Sequence, residues 1–215
     1  MPFFDKLAAN TVGERDHLIG IPLIQRALSG AVSRQEYLDY LGQAYHHVKH
    51  TVPLLMACGA RLPERLGWLR DAVARYIEEE IGHEEWILDD IMAAGGDPDV
   101  VRNSRPLPAT EMMVAYAYDT IQRRNPAGFF GMVYVLEGTS VSLAHRAAKA
   151  IQERLGLPQT AFRYLTSHGS VDQEHLVFLE KLVNRLDDPH DKDEVLHCAR
   201  MFFHLYGDVF RSIAH

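Results

Sequence analysis

The chain has 215 residues, 47% hydrophobic and 24% charged, with 15 Gly and 10 Pro, which excludes disorder, collagen and coiled-coil rods and leaves enough apolar material for a sizeable core. Asp and Glu outnumber Lys and Arg by 29 to 22, a formal charge of -7. No basic run offers the phosphate-neutralising stripe that nucleic acid requires, so a nucleic-acid partner is not expected.

No linker, repeat or low-complexity tract interrupts the chain, so residues 1–215 read as a single helical domain. Glu14 to Ser29 has helical period and stops at Gly30. Ser33-Arg-Gln-Glu36 fits a capping box that opens a second helix to about Ala60, with a kink expected at Pro53. A third helix runs from near Pro63 to about Ala94 and ends in the turn cluster Gly95-Gly96-Asp97-Pro98. A loop with Pro106 and Pro108 leads to a short fourth helix from Thr110 to about Arg124. Asn125-Pro126 reads as a cap and first-turn proline of a fifth helix that Gly156 closes after Leu155. Pro158 to Thr166, His168 to Leu186 and Pro189 to Ile213 complete an all-α bundle of about seven helices, and no strand-turn-strand pattern occurs.

The longest near-apolar run, Gly128 to Leu136, falls short of the roughly 20 residues that span a bilayer. The amino-terminal MPFFDKLAANTVGERD lacks the order of a signal peptide, so no membrane association and a cytoplasmic location are expected. The two cysteines, Cys58 and Cys198, are too few for a disulfide framework or a thiolate metal site, so any metal would be held by His and carboxylates.

Twelve histidines make their placement informative. In the sixth helix His168, Asp172, His175 and Leu179 fall on one stripe, which a solvated helix end would also explain. In the fifth, Glu137 is the only charged residue between Arg124 and Arg146. A buried carboxylate needs a strong partner, either a lone cation or a metal. In the third, Glu80 and His83 stand at i and i+3, the Glu-x-x-His pair with which helical bundles hold iron pairs, although acidic helices carry such pairs by chance. Glu79, at i and i+4 from His83, competes with Glu80 for that role. Together Glu80, His83, Glu137, His168, Asp172 and His175 offer three nitrogen and three carboxylate ligands. Their charge nearly balances two divalent ions, and the mixed donors suit iron or manganese better than zinc or copper.

This pattern of Glu-x-x-His, a lone Glu and His-x3-Asp-x2-His resembles the haem-oxygenase-like di-iron oxidases. Their superfamily also contains haem oxygenases, thiaminase II (TENA/THI-4) and the pyrroloquinoline-quinone synthases, all on a seven-helix fold. The stretch SRQEYLDYLGQAYHHVKHTVPLLMACGARLP is similar to the superfamily's second-helix region. The resemblance implies an enzyme that binds two Fe per chain, fully or in part, uses O2 and oxidises a small-molecule substrate, with the six residues as metal ligands; a homodimer is the family habit. Some members place the first Glu two turns before the His, where this chain has Tyr76. Neither cysteine lies on the fifth helix, which argues against thiaminase chemistry.

His46, His47 and His50 cluster in the second helix, with His46 and His50 at i and i+4, as pocket-wall candidates; His145 is a further outer-sphere candidate. His17 invites a rival reading as a haem ligand in a haem-binding or haem-degrading protein. A second rival is a metal-free enzyme or binding bundle in which the polar residues satisfy one another. Phe202, Phe203, Tyr206 and Phe210 read as core or a dimer face.

Overall fold

The computed structural model describes residues 1–213, apart from the side chains of 168–173. Among the described residues every regular element is helical. The elements are α1 (Phe3–Ala9), α2 (Val12–Ile19), α3 (Pro22–Leu28), α4 (Arg34–Val48), α5 (Thr51–Arg61), α6 (Gly67–Glu80), α7 (His83–Ala93), α8 (Pro98–Asn103), α9 (Pro108–Arg123), α10 (Phe129–Leu155), α11 (Arg163–Asn184) and α12 (Pro189–Ile213).

The class is all-α, as expected, but the described residues form twelve α-helices rather than about seven, because several long periodic stretches are broken. The segment from Glu14 to Ser29 is divided between α2 and α3, where Pro22 takes the first helical position. The expected kink at Pro53 is instead a full break at Lys49 and His50. Pro53 sits in the first turn of α5, where its missing N–H has no intrahelical partner to lose. The helices expected on either side of Ser167 merge into α11, after a 3₁₀ turn over Gln159–Phe162. The short helices α1 and α8 are additions. Two expected starts hold: Ser33 and Glu36 form the reciprocal capping box, and the Asn125 side chain accepts from Ala127 N at 3.0 Å.

Helix α10 is the central post, packed on α11 and α12. Gly131 permits its close approach to α12, because a Cβ there would lie 2.5 Å from the carbonyl oxygen of Val195 and 2.6 Å from the amide nitrogen of Ala199. With its 3₁₀ lead, Pro126–Leu155 is long and apolar enough to cross a membrane, but 61% of its most apolar stretch is buried inside the bundle. On α12, Phe202, Phe203 and Tyr206 face the core, and the Phe210 ring stacks on Tyr40 at 5.7 Å. An ion pair secures the start of α12: the fully buried Asp191 accepts from two guanidinium nitrogens of the half-exposed Arg65 and from Asn125 Nδ2 at 2.8 Å.

Helix α11 is tied to α7 at its first turn. The fully buried Asp90 carboxylate accepts from the amides of Arg163 at 3.0 Å and Tyr164 at 2.8 Å, so α7 supplies the cap that α11 lacks locally. Nearby, Tyr37 stacks on Phe162 at 5.1 Å and its hydroxyl donates to the Ala161 carbonyl at 2.6 Å. Burial pushes the Asp90 carboxyl up to about 6, against the pull of the two amides. The folded state therefore binds this proton more tightly than the unfolded chain, and the group's contribution to stability falls as pH rises through that value. Asp90→Asn should accordingly gain stability relative to the parent between pH ~4.5 and pH ~7 in urea titrations; the opposite slope would show that the amide bonds outweigh burial.

Candidate metal centre

The site lies where α6, α7, α10 and α11 meet. Helix α6 ends at Glu80; Ile81 is extended, with ψ 122°, and Gly82 adopts φ 88° before α7 starts at His83. The expected continuous third helix is thus two helices, and Glu80 and His83 face one another across a turn that only Gly adopts without strain. They still meet: His83 Nδ1 lies 3.0 Å from Glu80 Oε2. Opposite them, α11 presents His175, whose Nδ1 is 3.5 Å from Glu137 Oε1 and 3.8 Å from Glu80 Oε1, while its Nε2 is 2.8 Å from Glu79 Oε2.

Four of the six residues singled out in the sequence, Glu80, His83, Glu137 and His175, are therefore brought together. The other two, His168 and Asp172, lie outside the described residues. The four are buried, with 9, 5, 8 and 2% of their surfaces exposed. Glu79 joins them from the rim, held by Arg75 Nε at 2.9 Å, so the competition between Glu79 and Glu80 resolves into both carboxylates reaching His175. The described ion pairs of Glu80 and Glu137 are made to imidazoles. Burial alone would push the His175 imidazole down; its close contact with Glu137 and the charges of Glu137, Glu80 and Glu79 win and raise it to about 9. Among the described residues no three donors yet surround a common point, because the side chains bond to one another.

Two residues of the site were given no role by sequence reasoning. Tyr76, noted only as a departure from the Glu pattern, packs edge-on to His175 at 5.3 Å. Burial, then the charge of Glu137, hold its phenol well above the usual range, so it stays protonated beside that carboxylate. Trp86 lies 3.9 Å from the His83 ring, and the Arg163 guanidinium lies over the indole at 4.3 Å. Its spacing of i+3 from His83 is the signal that marks it.

The remaining candidates separate. His46 bonds Ser104 Oγ at 2.9 Å and is pushed down to about 4 by burial and then by Lys49 and His50, whereas His50 lies 3.3 Å from the Tyr118 hydroxyl, so the pair does not clamp an ion. His47 faces the internal cavity; His145 and His17 are exposed, and neither lines it. Burial pushes the Cys58 thiol up to about 12 and the Cys198 thiol up to about 11, and neither is among the described residues lining the cavity.

That cavity, about 180 Å³, reaches Tyr76, Glu80 and Glu137 at the site and continues between α3, α4 and α10 along aliphatic walls that include Leu54, Met132 and Leu136.

A family model described as "Iron-containing redox enzyme" matches residues 38–207, and the chain belongs to this haem oxygenase-like family. Among solved structures it is similar to a domain of unknown function with a heme oxygenase-like fold from Shewanella denitrificans, at 25% identity, TM-score 0.88, and coverage of 99% of this chain and 92% of that one. A TenA homolog from Pseudomonas syringae matches at 13% identity and TM-score 0.83, covering 99% and 93%. Heme oxygenase-1 from Synechocystis, solved in complex with heme, matches at 14% identity and TM-score 0.76, covering 100% and 93%. These last two establish the shared fold alone. A search of curated proteins finds no match.

Because Gly82 has open space where a Cβ would sit, Gly82→Ala tests the backbone alone. It should cost about 1–2 kcal/mol in urea unfolding, the penalty of a left-handed L-residue, with Gly82→Asn recovering part of it. No loss in the alanine variant would contradict the strained joint described here.

Proposed function

We propose that the chain is an iron-dependent, O2-using oxidase or oxygenase of a small organic substrate. In this reading Glu80, His83, Glu137 and His175 hold two irons, together with His168 and Asp172, which lie outside the described residues. The observation that supports it best is the convergence of buried carboxylates on imidazoles beside an apolar cavity. The donor set fits the metal. Carboxylates and imidazoles are the ligands that iron and manganese prefer, and a low-dielectric interior tolerates anionic side chains when cations neutralise them. When bound, iron would supply the one-electron steps and the activation of O2 that no side chain here can perform.

The chain's own residues do the rest. The aliphatic walls exclude water and hold an apolar substrate beside the carboxylates. Tyr76 packs edge-on against His175 and so limits the directions that imidazole can take. Trp86 covers one face of His83, and Arg75 holds Glu79 at the rim. Glu79 would thus be a further carboxylate available to a bound metal beside Glu80.

The test is elemental analysis after anaerobic Fe(II) loading. The parent should hold about two irons per chain, and Glu137→Ala and His175→Ala should each lose at least one. Absence of iron from the parent, or full occupancy in both variants, would overturn the proposal.

A further inference from the structure

Two hydroxyls beside the carboxylates are not used by the metal reading. Tyr76 stands one turn before Glu80 on α6, and Ser140 stands at i+3 from Glu137 on α10, so each shares a helix face with a carboxylate of the centre. All four residues line the cavity. Tyr76 is 2% exposed, and its ring meets His175 edge-on at 5.3 Å. Neither the Tyr76 hydroxyl nor Ser140 Oγ has a hydrogen-bond partner among the described residues, and both oxygens are sealed from water.

A buried hydroxyl in that condition costs about 1–3 kcal/mol. A serine inside a helix commonly avoids the cost by donating to the carbonyl one turn back, as Ser142 does to Gly138 at 2.7 Å, but Ser140 makes no such bond to Leu136. Backbone strain does not account for it, since both residues lie within regular helix and no non-glycine residue among those described has a positive φ. The remaining explanation is a partner from outside the chain.

The site defines that partner in three ways. Each hydroxyl can donate, so the partner presents lone pairs. It is small, because the two oxygens are sealed even though their residues line the cavity, and the aliphatic space beside them suits the substrate. It is held by cations, because Glu79, Glu80 and Glu137 would repel a free anion, and bound metal is the source of positive charge that the donor set fits.

We infer that Tyr76 and Ser140 donate hydrogen bonds to a small non-protein ligand of the metal centre, water or an inorganic anion, and position it beside Glu137. The inference rests on the iron reading and adds two positioning residues to it, neither of which is needed to hold the metal itself.

The test is titration of the full chain with azide, after Fe(II) loading and exposure to air, followed by the visible azide-to-iron charge-transfer band. Iron content and thermal unfolding are measured on the same samples. Tyr76→Phe and Ser140→Ala, which remove only the hydroxyl, should each keep the parent's iron content and weaken azide about three- to tenfold, the worth of one hydrogen bond. A purely structural role would instead lower iron content and unfolding temperature together. That result, unchanged azide affinity in either folded, iron-loaded variant, or an iron-loaded parent that binds no azide would overturn the inference and leave the oxidase reading standing. A parent without iron would overturn both.

Discussion

The structure depends on burying the carboxylates of Glu80 and Glu137 inside a helical bundle. An isolated carboxylate in such a place costs several kcal/mol or takes up a proton. The chain meets this cost with imidazoles: His83 against Glu80, and His175 between Glu80, Glu137 and Glu79. Imidazole suits this role because it can act as a cation when protonated and as a neutral metal ligand when not. The same cluster is thus compatible with the bundle before a metal is bound and with a divalent ion afterwards.

Convergence requires four helices to bring their side chains together, and the chain uses three devices to hold them. The left-handed Gly82 breaks α6 from α7, so that Glu79 and Glu80 approach from one helix and His83 from the next. Asp90, two turns into α7, caps α11 and thereby ties the helix of His83 to the helix of His175. Gly131 brings α10, which carries Glu137, against the backbone of α12. These constraints act on backbone, and the cavity is the space they leave beside α3 and α4.

The helical class, the capping box at Ser33 and the start at Asn125 were legible because each depends on residues a few positions apart. Glu137 was legible for a different reason: one charge in a long apolar stretch signals a buried partner whatever the fold. The joint at Gly82 was not legible, since apolar periodicity continues across Ile81 and a lone Gly is tolerated within helices. Pro53 was misread as a kink because a proline in a first turn and one in a helix interior look alike until the break at His50 is known. Tyr76 acquires its place only through its ring contact with His175, a contact between distant segments that no local pattern encodes.

The central claim is that this cluster, and no other group of side chains, holds the iron. Anomalous diffraction at the iron edge, from crystals loaded with Fe(II) without oxygen, tests it most directly. Peaks bounded by Glu80, His83, Glu137 and His175 are predicted, and iron density at His17 or elsewhere, with none among these four, would contradict the account.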